Sequence, residues 1–244
     1  MPEIAAAETA SATRRRASSN GAEFWFTSFI GANRYRPGVG AAPGPGPEAL
    51  YPMAFLVEQD ANAVVGAHFH QSDQFQVMLD GTGRLGTHDV GPVAVHFAGA
   101  FSAYGPIRAG ADGLHYFTLR NGWGAGARYM PEARTELPRP RRHRVAMADL
   151  SREPEAGCES VLGPEVDGLA AWRWRLAEGA RLDAPDPATG RGQFWLVLDG
   201  TLLGDEPIGP RSCVFVRPDE PALGILAGAG GLDILALQFP LRAR

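Results

Sequence analysis

The sequence predicts an all-β protein built from two copies of one β-barrel. Short runs rich in aromatic and β-branched residues alternate with turn signals, and no long amphipathic helix interrupts them. Residues 193–200 (QFWLVLDG) repeat residues 74–81 (QFQVMLDG) with five of eight positions identical at an offset of 119. Because solenoid units are about 20–50 residues long, a repeat at this distance indicates two copies of a whole domain.

The first copy contains six strand candidates of five to eight residues. They are residues 24–30, 51–58, 63–70, 74–79, 93–97 and 114–119. Between the first two lies a Gly- and Pro-rich loop, residues 36–47, which cannot form a regular strand. Asp80-Gly81 has the composition of a tight hairpin turn, since such turns need positive φ. Short strands at this spacing are typical of a β-sandwich or barrel.

Positions beyond the repeated octapeptide extend the match to the second copy. Phe215 corresponds to Phe97, and Leu237 corresponds to Leu119, both at an offset of 118. The chain is therefore predicted to have four segments. These are a disordered N-terminal tail (1–22), a first barrel (23–130), a Pro- and Arg-rich connector (131–144) and a second barrel (145–244).

Composition excludes several classes of function. A net charge of −4 favours neither nucleic acid nor an anionic membrane as a partner. All 23 basic residues are arginine, which excludes chemistry that needs a lysine. Two cysteines are too few for a disulfide scaffold. We find no secretory signal core, no apolar run of about 20 residues and no hydrolase or nucleotide motif, so we expect a cytoplasmic protein.

Two histidines mark the first copy. His68 and His70 are one residue apart in an extended segment, so their side chains lie on one face. Their surroundings resemble the first motif of the cupin family, Gly-x5-His-x-His-x3-4-Glu-x6-Gly. Gly81 matches the closing glycine, Gln74 stands at the glutamate position and Asn62 replaces the opening glycine.

The family's second motif, Gly-x5-Pro-x-Gly-x2-His-x3-Asn, can be placed on the segment that begins at Gly91. Gly99 also matches, whereas Phe97, Ser102 and Pro106 replace the proline, the histidine and the asparagine. The resemblance implies two tandem cupin-type jelly-roll β-barrels, a bicupin. It also implies that half of the family's metal ligands are present in the first barrel.

Two imidazoles and an amide oxygen can bind a divalent transition metal such as iron, manganese, nickel or zinc. We therefore predict His68, His70 and Gln74 as metal ligands, completed by His115, with His96 as the other candidate. Such a set leaves open positions for water or substrate, as a catalytic metal requires. A metal-free cavity that holds a ligand between the same histidines is the alternative.

Other polar side chains are candidates for substrate contact. Gln76 shares a strand face with Gln74, and the phenol of Tyr104 can donate to a substrate oxygen, so we predict these two as catalytic residues. Arg108 and Arg120 could hold a carboxylate or phosphate. The resemblance implies dioxygenase- or isomerase-like chemistry on a small organic substrate. A metal-free binding or sensing protein and a structural bicupin without catalysis are the alternatives.

The second copy is expected to have a structural role. Residues 145–244 contain no histidine, and residues 185–192 are Gly- and Pro-rich where the first copy has its histidine pair. One strand face, which includes Phe75 and Val77, stays apolar in both copies. We expect this face to pack against the other barrel or against a second subunit in a homodimer.

Overall fold

The computed structural model describes residues 1–31, 35–36, 40–41, 45–46, 49–140, 143–148 and 157–242. The chain divides into two compact units. One is Thr13–Ser151, which we call the first barrel; the other combines Met1–Ala12 with Arg152–Arg244 and is called the second barrel.

The described residues form mostly strands. In chain order these are β1 (Glu3–Ala5), β2 (Arg15–Ser19), β3 (Ala22–Ile30), β4 (Tyr35–Arg36), β5 (Gly40–Ala41), β6 (Met53–Gln59), β7 (Val64–Val65), β8 (His68–Phe69), β9 (Gln74–Leu85), β10 (His88–Val90), β11 (Val95–Ala98), β12 (Ile107–Arg120), β13 (Arg128–Tyr129), β14 (Val145–Ala148), β15 (Gly157–Leu162), β16 (Ala170–Leu176), β17 (Arg181–Asp183), β18 (Gln193–Leu202), β19 (Cys213–Val216) and β20 (Gly224–Gln238). Helix α1 (Ala7–Ser11) and the 3₁₀ helices Glu132–Glu136 and Pro187–Thr189 are short. No helix in these ranges has the length and apolar character needed to cross a membrane.

The first barrel is built on one antiparallel sheet in the order β14-β11-β9-β12-β6-β3-β2. Strand β10 pairs with β9, β7 pairs with β12, and β8 and β13 form a separate two-stranded ribbon. Because alternate residues of a strand face the same side, Leu114 and Tyr116 of β12 both point inward. They pack there with Phe26, Phe55 and Met78.

The second barrel uses the order β1-β19-β18-β20-β16-β15, with β17 paired to β20. Its interior is apolar and contains Trp174, Trp195, Val214 and Ile234. The prediction of an all-β chain with two barrels is confirmed.

The two barrels share one strand register. Phe75 of β9 pairs with Phe97 of β11 and with Leu119 of β12. The corresponding residues of the second barrel pair in the same way: Phe194 with Phe215 and Leu237. The internal repeat in the sequence is therefore a repeat of strand pairing.

The predicted hairpin turn at Asp80-Gly81 is wrong, because β9 continues through both residues. A Cβ atom on Gly81, whose φ is +73°, would lie 2.2 Å from the carbonyl oxygen of Gly113. Gly200 of the second barrel, with φ +77°, has the same 2.2 Å clearance from the oxygen of Gly231. The repeated Asp-Gly pair thus marks a close approach of two strands at a register shift.

The expectation of a disordered tail over residues 1–22 also needs correction. Strand β1 pairs with β19 in the second barrel, and β2 pairs with β3 in the first. Arg16 donates to Asp60 at 2.7 Å and to Glu23 at 2.8 Å. These residues have no apolar pattern, because backbone hydrogen bonds and ion pairs hold the two edge strands in place.

The expected boundary at residues 131–144 is likewise displaced. Strand β14 pairs with β11, so residues 145–148 extend the sheet of the first barrel and do not begin the second. Residues 132–136 of the expected connector form a 3₁₀ helix. Most of the predicted loop at residues 36–47 lies outside the described residues.

Candidate ligand site in the first barrel

The two histidines are buried side by side, with ring centroids 5.0 Å apart. The Nδ1 of His68 lies 2.7 Å from the carbonyl oxygen of Gly66, and the Nδ1 of His70 lies 3.2 Å from that of Gly126. Because a carbonyl oxygen only accepts, both Nδ1 atoms carry the proton. Each Nε2 therefore presents a lone pair to the barrel interior.

Tyr104 hydrogen-bonds to the lone pair of His68. Its hydroxyl donates to His68 Nε2 at 2.8 Å and accepts a hydrogen bond from the amide of Gln74. The backbones of Tyr104 and His68 also exchange two hydrogen bonds of 3.0 Å, which fix the phenol beside the imidazole. The predicted residues His68, Gln74 and Tyr104 are thus brought together.

Arg120, at the end of β12, hydrogen-bonds to the lone pair of His70. Its Nη2 lies 3.0 Å from His70 Nε2, and its Nε donates to Gln74 Oε1 at 3.1 Å. The guanidinium carbon is 5.4 Å from the ring centroid of Phe55. Arg120 is only 5% exposed, and no Asp or Glu forms an ion pair with it in the described part of the chain.

Gln76 and His96 form a second polar pair inside the same barrel. They are opposite each other on β9 and β11, and His96 Nδ1 donates to Gln76 Oε1 at 3.0 Å. The ring of His96 lies 4.9 Å from that of Tyr104. Its Nε2 is buried and has no hydrogen-bond partner in the described structure.

Burial governs the charges of this cluster. Desolvation lowers the pKa of His68 to about 4 and that of His96 to about 3, and it holds the pKa of His70 well below its usual value. Desolvation also lowers the pKa of Arg120 to about 10 and raises that of Tyr104. At pH 7 the cluster therefore contains three neutral imidazoles, a neutral phenol and one uncompensated positive charge.

His115 does not belong to this cluster, which corrects its prediction as a metal ligand. Its neighbours Leu114 and Tyr116 face the interior, whereas His115 is partly exposed with its Nδ1 3.7 Å from Asp80 Oδ2. The alternation of side chains along a strand places it on the opposite face. Arg108 is exposed on the same strand.

Ser102, at the position of the family's third histidine, points elsewhere. Its hydroxyl accepts a hydrogen bond from the backbone N–H of Arg144 at 2.9 Å. It therefore serves the connection to β14 and leaves the cluster to other residues.

In the second barrel, most positions of this cluster hold other residues. By strand register, Trp195 corresponds to Gln76, Val214 to His96 and Gln238 to Arg120. Only the glutamine at position 74 is kept, as Gln193, which donates to Gln238 at 2.9 Å. The second barrel therefore folds without a charge or an imidazole at these positions, so the polar cluster is not a requirement of the fold.

The residues of the cluster do not fit a divalent metal ion. The described residues contain no group of three or more His, Cys, Asp or Glu side chains arranged to hold one. No Asp or Glu side chain is among the described hydrogen-bond partners of the cluster, and the guanidinium of Arg120 hydrogen-bonds to the lone pair of His70. A dication would have to displace a buried cation that it repels.

Known proteins resemble this chain in fold. No protein-family model and no curated protein matches the sequence. Pirin YhhW from Escherichia coli, in complex with nickel(II), covers 99% of this chain and 100% of its own at 17% identity and a TM-score of 0.58. A Nostoc punctiforme protein proposed to be a dioxygenase covers 100% of this chain and 85% of its own at 12% identity and a TM-score of 0.64.

Oxalate decarboxylase from Bacillus subtilis, described with Mn(II) centres, is also similar. It matches 95% of this chain and 77% of its own at 12% identity and a TM-score of 0.56. These likenesses, together with the repeated barrel, define the fold as a bicupin. Identities this low establish the fold alone and say nothing about a metal ion or an activity of this chain.

Proposed function

We propose that the first barrel binds a small organic carboxylate without a metal ion, with Arg120 as the anion-binding residue. The observation that carries the proposal is a buried guanidinium whose described partners, Gln74 and His70, are both neutral. A buried charge without a counter-ion is costly, and the second barrel replaces it by Gln238. A bound carboxylate would supply the missing charge.

The cluster offers a carboxylate directional donors. A guanidinium binds carboxylate oxygens through charge-assisted hydrogen bonds, which are about twice as strong as neutral ones. A ligand carboxylate can replace the contact of Arg120 with His70, because an anion is a stronger partner for a guanidinium than a neutral imidazole is. The hydroxyl of Tyr104, now bonded to His68, can donate to a ligand oxygen in its place.

A divalent-metal enzyme of the dioxygenase or isomerase kind is the second candidate. Its support is the anchoring of both Nδ1 atoms on backbone carbonyls, an arrangement typical of metal-ligating histidines. It would require Arg120 to leave the cluster, because a dication about 4 Å from a guanidinium is repelled by roughly 8 kcal/mol at an effective dielectric constant near 20. Homodimer formation and a cytoplasmic location stay predictions.

Thermal shifts on untagged protein treated with a chelator separate the two candidates. We expect short-chain carboxylates to raise the melting temperature and their neutral amides to leave it unchanged, because only the anion compensates Arg120. The Arg120→Gln variant should lose the response, and Arg108→Gln, which removes an exposed arginine from the same strand, should keep it. Stoichiometric metal in the purified protein, together with a carboxylate response only when metal is present, would favour the second candidate instead.

A further inference from the structure

We infer that the ligand of the first barrel is a hydroxycarboxylate, whose hydroxyl group donates a hydrogen bond to His96 Nε2. This inference rests on the proposed carboxylate site at Arg120 and names the class of ligand. It begins from one atom that no residue of the described structure satisfies.

His96 is fully buried, and its neighbour Gln76 determines which ring nitrogen carries the proton. Since Gln76 Oε1 only accepts, the 3.0 Å contact places the proton on His96 Nδ1. Nε2 is then an acceptor, and it is buried without a partner. A buried acceptor without a partner is destabilising, so a group that pairs with it is strongly favoured.

His96 is linked to the proposed anion site through Tyr104. Its ring is 4.9 Å from that of Tyr104, and the Tyr104 hydroxyl is joined through Gln74 to Arg120. In the inferred complex one small molecule contacts the guanidinium with its carboxylate and His96 with a donor group. The second barrel, which has lost Arg120, has also lost this acceptor, since Val214 stands in its place.

A hydroxyl is the donor that fits these surroundings. An ammonium group would place a second positive charge near Arg120, whereas a hydroxyl is neutral and donates one hydrogen bond. A site that pairs a buried polar group with a ligand hydroxyl discriminates against the analogue that lacks it, because the group is left unpaired again. The carboxylate thus provides the charge and the hydroxyl provides the specificity.

Isothermal titration with matched pairs of acids tests the inference. The probes are propanoate against 2-hydroxypropanoate, and butanoate against its 2-, 3- and 4-hydroxy derivatives, on the full-length protein. We expect at least one hydroxy acid to bind tenfold or more tightly than its unsubstituted partner. In His96→Val, which copies Val214 of the second barrel, that ratio should fall to about twofold or less.

Two results would overturn the inference: equal affinities within every pair in the wild-type protein, or a preference that survives in His96→Val. Neither affects the proposed function, whose own failure would be binding that persists in Arg120→Gln or the absence of binding by any acid. His96→Gln, which keeps an acceptor oxygen, guards against a folding defect and should retain part of the preference.

Discussion

Arg120 Nη2 lies 3.0 Å from His70 Nε2, so a guanidinium hydrogen-bonds to the nitrogen that the sequence predicted as a metal ligand. The two barrels have the same strand register at the position of Arg120, but the charge at that position differs. In the second barrel the position of Arg120 is taken by Gln238, whose side chain hydrogen-bonds to Gln193. One histidine of the pair in the first barrel therefore contacts a cation that belongs to the protein.

Replacement of this cation should stabilise the fold. Arg120→Gln copies the Gln193–Gln238 pair and removes a buried charge without a counter-ion, so we expect the free energy of unfolding to rise by about 1–3 kcal/mol. For a chain of this size that is roughly 2–4 °C in melting temperature per kcal/mol. Arg108→Gln is the control and should change little. A lower melting temperature for Arg120→Gln would mean that the guanidinium is part of the structural core.

Tyr104 should be more important to stability than another buried tyrosine of the same barrel. Tyr104→Phe leaves His68 Nε2 and the amide of Gln74 without their partner, which should cost about 1–3 kcal/mol. Tyr116→Phe is the matched control, because Tyr116 is buried but makes no hydrogen bond through its hydroxyl in the described structure. Urea denaturation of both variants measures the difference, and equal losses would contradict the network.

Stability should depend on pH between about 6.5 and 5. The pKa of His68 is lowered from 6.5 to about 4 in the folded protein, so the unfolded chain binds more protons in this window. The stabilisation is fully present above pH 6.5 and is lost as the pH falls toward 4, by roughly 1.4 kcal/mol for each unit of pKa shift. Denaturation at several pH values measures the slope.

The buried histidines should account for that slope. His96→Val removes one of the groups with a lowered pKa and should flatten the dependence. His88→Asn, a change at an exposed histidine, should leave it as it is. A stability that stays constant from pH 7 to pH 5 would contradict the burial of neutral imidazoles.

The paired glycines should tolerate no side chain. Gly81→Ala would bring a Cβ atom to 2.2 Å from the oxygen of Gly113 at a positive φ, and Gly200→Ala would do the same at Gly231. We expect each change to destabilise its barrel by several kcal/mol, about 2–4, because the contact is with backbone. Gly91→Ala, which meets no atom within 4 Å, should be neutral in the same melting assay.

The repeat in the sequence was sufficient to predict the fold. The first barrel pairs Phe75 with Phe97, and the second pairs Phe194 with Phe215. The identical residues of the repeat therefore mark strand pairing that is the same in both barrels. The elements without an apolar pattern were mispredicted. Strands β1 and β2 are held by backbone hydrogen bonds and ion pairs, and β14 is an edge strand that follows a Pro- and Arg-rich segment.

The candidate site was only partly predictable. The cupin motif predicted His68, His70 and Gln74, and Gln76 was predicted because it shares a strand face with Gln74. The sequence favoured His115 over His96, and only the strand register shows that His96 lies in the cluster and His115 does not. The sequence did contain an indication of the role of Arg120. When Leu119 is aligned with Leu237, Arg120 aligns with Gln238, so this position carries a charge in one copy and an amide in the other. Only the structure shows that this charge is buried.

Isothermal titration of carboxylates into chelator-treated protein tests whether Arg120 binds the anion without a metal ion. We expect saturable one-to-one binding in the wild-type protein and in Arg108→Gln, and at least a hundredfold weaker binding in Arg120→Gln. Binding of equal strength in Arg120→Gln, or binding that begins only after a divalent metal is added, would contradict it.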